Sequence, residues 1–137
     1  MAIEPALRSE LINNAAVAAM VGTRVYPMHL PQGYTLPAIS YQMVSAPRAW
    51  STTGPVGQVQ ARVQVDCWAE TYDGVKNLSN GVRLALDNFR GTLGTGGEAM
   101  DNVGTISMVA YRDGFNTTTE NYGVILEFYV PYFESTT

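Results

Sequence analysis

The strongest constraint on how this chain folds lies between Gln58 and Arg90. The run QVQARVQVDCWAE alternates without a fault. Val59, Ala61, Val63, Val65, Cys67 and Ala69 fall on one side. Gln58, Gln60, Arg62, Gln64, Asp66 and Glu70 fall on the other, with Trp68 the single large apolar residue among them. A period of two is a strand with one buried face. After TYDG the period changes. Val75, Leu78, Val82, Leu86 and Phe89 recur at steps of three and four, which is one stripe of an amphipathic helix. Thr71 or Asp73 can cap its start by accepting from the first free N–H groups. Gly91 suits its end, where a left-handed residue costs least as glycine. A half-buried strand running into such a helix requires a helix packed on a sheet, and the rest of the chain must supply the remaining strands.

Those strands can be placed. Ile3 to Val21 reads as helix, with Ile3, Leu7, Leu11, Val17, Met20 and Val21 on one stripe; the pair Asn13-Asn14 divides it into a long and a short piece. Glu4 and Pro5 suit a first turn. Arg24 to Leu30 is a short extended piece, held to a sheet edge by Pro27 and Pro31. Pro37 to Val44 alternates as a strand. Ser45 to Gly57 is a polar loop carrying Arg48 and Trp50, expected at the tip of an extended hairpin. Gly91 to Gly104 reads as a flexible loop, Thr105 to Tyr111 as a strand and RDGFNTTTEN as a turn region. In the last strand, Tyr122 to Phe133, one side carries Tyr122, Val124, Leu126, Phe128, Val130 and Tyr132. The other carries Ile125, Tyr129 and Phe133. A strand apolar on both faces is central, or is covered by a second chain. The expected order is α-β-β-β-α-β-β. This is an α+β, two-layer fold: a mostly antiparallel sheet of about five strands, two main helices on one face and an extended hairpin loop. A chain of 137 residues is expected to be one domain, 1–137.

Composition narrows the function. Only 15% of residues are charged, against the ~25% of an average domain, which leaves surface that can be desolvated against a partner. The net charge is −4, and the eight basic residues are scattered from Arg8 to Arg112. Binding to phosphate backbones needs them clustered, so sequence-specific nucleic-acid binding is not expected. One cysteine, Cys67, rules out an internal disulfide and fits a reducing compartment. The opening MAIEPALRSE does not read as a secretory signal, and no apolar run reaches the ~18 residues of a membrane span. The chain is expected to be made in the cytoplasm, where the N-x-S/T matches at Asn77 and Asn116 are chance.

Catalytic chemistry finds little support. The glycines from Gly91 to Gly97 follow a helix and precede a strand, the reverse of a phosphate-binding loop. Cys67 lies on the apolar side of its strand, as a small packing residue does. His29 sits between Met28 and Leu30 with no base or orienting group beside it. One Cys and one His fall short of a zinc site. Asp66 and Glu70 flank Trp68 and read as solvated charges. No cofactor, metal or catalytic residue is assigned, and the chain is not expected to be an enzyme.

The stretch ALRSELINNAAVAAMVGTRVYPMHLPQGYTLPAISYQMVS resembles the start of the tail-terminator, or tail-completion, proteins of long-tailed phages and gene transfer agents. The residues that carry the likeness are Arg24-Val25-Tyr26-Pro27, Leu30-Pro31-Gln32-Gly33, and Pro37-Ala38-Ile39 leading to Tyr41. VQVDCWAETYDGVKNLSNGVRLAL resembles the same family's strand and following helix, and YGVILEFYVPYF its aromatic closing strand. The resemblance implies a structural virion protein that forms a ring, a hexamer, on the head-proximal end of the tail tube. It implies as partners the tail tube protein and the head connector, with DNA passing through the lumen. A closed ring needs two different patches on each protomer. From residue type alone, the candidates for subunit or partner contact are Arg48, Trp50, Gln64, Trp68 and Tyr129. Acids such as Asp101 or Glu120 suit a lumen that repels phosphate. The competing readings are another neck or head-completion adaptor, and a small cytoplasmic enzyme using Cys67, His29 or the acids near Trp68.

Overall fold

The computed structural model describes residues 3–52, 54–94, 100–118 and 120–133. The chain opens with α1 (Glu4–Asn13) and α2 (Ala15–Val21). Asn14 separates them: its backbone is extended and its Oδ1 accepts from the N–H groups of Ala16 and Val17, both at 3.1 Å. Next come β1 (Val25–Pro27), β2 (Ala38–Ser45), β3 (Arg48–Ser51) and β4 (Gly54–Ala69). After α3 (Tyr72–Leu86) follow β5 (Gly91–Leu93), β6 (Met100–Val103), β7 (Ser107–Asn116) and β8 (Asn121–Phe133).

The main sheet runs β1-β2-β4-β8-β7, with β3 also paired to β4; β5 and β6 form a separate pair. Only β1–β2 is parallel. The five strands of this path are the five legible from alternation and Pro placement. Pro27, which cannot donate to a ladder, closes β1 at the sheet edge. The helices cover one face. Ile3, Leu7, Leu11, Val17 and Val21 meet Val75, Leu78, Val82 and Leu86, and all pack on the inward residues Val59 to Cys67 and Val124 to Val130. Cys67 is buried among them, and burial pushes its thiol pKa well up.

Three stretches depart from the sequence reading. Ser45 to Gly57 is mostly strand: β3 and the start of β4 make the arm of a hairpin, with Ser51 paired to Gly54. RDGFNTTTEN is strand through Asn116, because Arg112 and Asp113 find ionic partners across the sheet and on α3. In the Gly91–Gly104 stretch, the described parts form β5 and β6, whose Leu93, Met100 and Val103 are buried; residues 95–99 lie outside the described residues. Two strands this short show no readable period. Gly94 is fixed here by geometry. Its φ is +83, a Cβ on it would stand 2.9 Å from the Ala6 carbonyl oxygen, and its N–H donates to Glu10 at 3.1 Å.

Helix α3 begins as expected, with Thr71 Oγ1 accepting from Gly74 N–H at 3.0 Å. It ends earlier, at Leu86. Asn88 then takes a left-handed turn at φ 66, and its N–H donates to the Ile106 carbonyl at 2.7 Å. Phe89 packs on the core from beyond the helix end.

Candidate interaction surface

Because the helices lie on one side, the other face of the sheet is uncovered among the described residues. Its residues follow from register. Trp68, Asp66, Gln64 and Arg62 of β4 stand opposite Gly123, Ile125, Glu127 and Tyr129 of β8. On the far side of β4, Ser40 and Gln42 stand opposite Asp66 and Gln64; beyond β8, Arg112 stands opposite Ile125.

An ionic cluster sits at the centre of this face. Glu127 accepts from Arg62 Nε at 2.9 Å through Oε1, and from Arg112 Nη1 at 3.0 Å through Oε2. The glutamate side chain is only 12% exposed, while the arginines are about half exposed. The bond from Arg112, then that from Arg62, hold the Glu127 carboxyl below its ordinary range. Beside it, the Gln64 amide donates to Asp66 Oδ1 at 2.8 Å. Burial raises the Asp66 carboxyl pKa, partly offset by that bond and by Arg112. The Trp68 ring lies over Gly123: a Cβ there would meet the ring carbons at 2.7 to 3.1 Å. The glycine leaves room for the indole to lie flat on the neighbouring strand.

Gln64, Trp68 and Tyr129 therefore share one face, each half-buried. Arg48 and Trp50 do not join them. They pair with Val59 and Pro55 on the hairpin arm. Arg48 is exposed, and its guanidinium donates to the Ala46 carbonyl at 3.0 Å. The side chain of Trp50 lies outside the described part. Phe133, 59% exposed at the end of β8, adds an aromatic group beyond the open face's ionic centre. Sequence reading missed Glu127 and Arg112 as partners, since only the β7–β8 and β4–β8 registers bring them together.

A second polar cluster joins α3 to β7, the edge strand. Lys76 Nζ donates to Asp113 Oδ1 and to Tyr111 Oη, and lies 5.1 and 4.9 Å from the ring centres of Tyr72 and Tyr111. The bond from Lys76, with that from Tyr72 Oη, lowers the Asp113 pKa; the same contact raises that of Lys76. His29 is exposed on the open-face side, whereas Cys67 points into the core, so the two are not brought together. Among the described residues no three His, Cys, Asp or Glu side chains stand together as metal donors. No described helix is long and apolar enough to cross a membrane.

The open face thus combines amides, one ion cluster and aromatic groups, the residue types common at protein contacts. The family model of tail completion protein gp17 matches residues 5–130. The chain belongs to the tail completion protein gp17 family. As a tail completion protein it has a structural role in the phage tail. Among solved structures, a chain of the virion of a native gene transfer agent (GTA) particle shares the fold. The TM-score is 0.74 at 18% identity, over 97% of this chain and 98% of that one. Comparison with curated proteins gives no match.

Proposed function

We propose that this tail completion protein forms a closed ring, a hexamer, on the head-proximal end of a tail tube. The ring stops tube polymerisation and presents the surface on which the head connector docks. The observation that carries this reading is the uncovered sheet face in a chain of this family. Trp68, Tyr129 and Phe133 offer aromatic contact area, and the amide ladder Gln60-Gln64 offers hydrogen bonds at little desolvation cost. A ring requires a second, different patch on each protomer. The hairpin arm with Arg48 and Trp50 is that patch, since it stands apart from the open face along β4. The likeness to a chain of a gene transfer agent virion supports a place in the particle itself. DNA passes through the lumen, and a net charge of −4 disfavours phosphate binding on the way.

Native mass spectrometry and electron microscopy of the purified protein, alone and with tail tubes, test the ring. Trp68→Ala and Tyr129→Ala are expected to leave the circular dichroism spectrum unchanged and to weaken assembly by about tenfold or more each. Wild-type assembly in both variants would make the open face mere scaffold. Binding to heads in the absence of tubes, with none to tubes, would favour a head-completion adaptor instead.

A further inference from the structure

At one end of the open face, a cleft of about 270 Å³ is lined by Trp68, Asp66, Ser40, Tyr34, His29 and Asn121, among others. Small-molecule pockets run from ~300 to 1,000 Å³, and a cleft at the small end of that range has room for a single side chain. We propose that the cleft receives a basic side chain, an arginine above all, presented by a protein docked on this face.

The chemistry of the lining carries the assignment. Asp66 is half-buried, and its Oδ1 takes the Gln64 amide. Its Oδ2 has no hydrogen-bond partner among the described residues. The nearby cation that offsets its burial, Arg112, is bonded to Glu127 instead. A half-buried carboxylate without an ion partner is stabilised by a cation that reaches it. Trp68 stands two residues along the same strand face and supplies the aromatic group over which a cation is held best; Tyr34 supplies another. Further acceptors are at hand for the several N–H groups of a guanidinium. Asn121 spends its amide nitrogen on Tyr34 Oη at 2.7 Å and retains its carbonyl oxygen, and Ser40 adds a hydroxyl. His29 Nδ1 is turned to the Leu30 carbonyl at 3.1 Å. That the donor is a neighbouring protomer rests on the ring reading. The ligand chemistry of the cleft does not.

The test uses the full-length protein and NMR of the two tryptophan indole N–H groups. The Trp68 resonance is assigned as the one lost in Trp68→Phe. The probes are N-acetyl-arginine methylamide, its neutral citrulline counterpart, and putrescine. The arginine probe is expected to shift the Trp68 indole saturably, with an affinity of about a millimolar. The citrulline probe, and the arginine probe on Asp66→Asn, are expected to bind at least roughly tenfold more weakly. Equal binding of citrulline, undiminished binding to Asp66→Asn, or no saturable shift would overturn the proposal. So would putrescine binding as tightly as the arginine probe, since the cleft would then be a site for free diamines. Because every readout is taken on unassembled protein, the result bears on the cleft alone, and a failure of the ring in the tube assay would leave this proposal standing.

Discussion

Two neighbouring carboxylates on the open face are held in opposite directions, and this makes the residue scale testable by pH. Glu127 is bonded by two arginines, so its folded pKa lies below the ordinary 4.5. A depressed carboxylate contributes stability that is present above its unfolded value and lost as pH falls through the folded one. Glu127→Gln should therefore cost about 1 kcal/mol at neutral pH, a modest figure because both arginines are half in solvent. Urea denaturation from pH 7 down to pH 3 should show the difference between variant and wild type shrink as the acid range is entered. Asp66 runs the other way. Its folded pKa lies above 3.8, so the stability it contributes is complete below that value and is lost as pH rises through the raised one. Asp66→Asn is expected to be more stable than wild type at neutral pH, in the same assay. Steric fit gives a third residue-scale prediction. Gly123→Ala places a methyl group 2.7 Å from the Trp68 ring and should cost about 1–3 kcal/mol. Trp68→Ala in the same chain should recover most of that; a neutral Gly123→Ala would show that the indole does not rest on β8.

Elements depend on caps and register more than on propensity. Thr71→Ala removes the acceptor that satisfies the first turn of α3 and should cost about 1 kcal/mol in thermal or urea unfolding. That cap was legible from its place before Val75, as were the break at Asn14, the edge position of β1 and the alternation of β2, β4 and β8. These features are local: a period, a proline or a short polar side chain states them within a few residues. The misread stretches needed distant partners. Arg112 and Asp113 look like turn residues until Glu127 and Lys76 meet them across β7. Leu93 and Met100 look like isolated apolar residues in a glycine-rich loop until α1 covers β5. The end of α3 was misplaced because Phe89 continues the stripe in space after the helix has turned at Asn88.

At the scale of the whole molecule, the sequence resemblance already implied the family that the match over residues 5–130 establishes. Gln64, Trp68 and Tyr129 were legible as outward residues of their strands; that they share one face with an ionic centre was not, because the order β2-β4-β8-β7 is a property of the folded chain. The acidic balance predicts that the protein, free or assembled, does not retain double-stranded DNA at physiological salt in a filter or mobility assay. The proposed capping of the tail tube is tested most directly at the tube itself. Tube subunits polymerised with increasing amounts of this protein, and viewed by negative stain, should give tubes that stop growing, each with a ring-shaped cap at one end. Tubes of unchanged length with bare ends would contradict it.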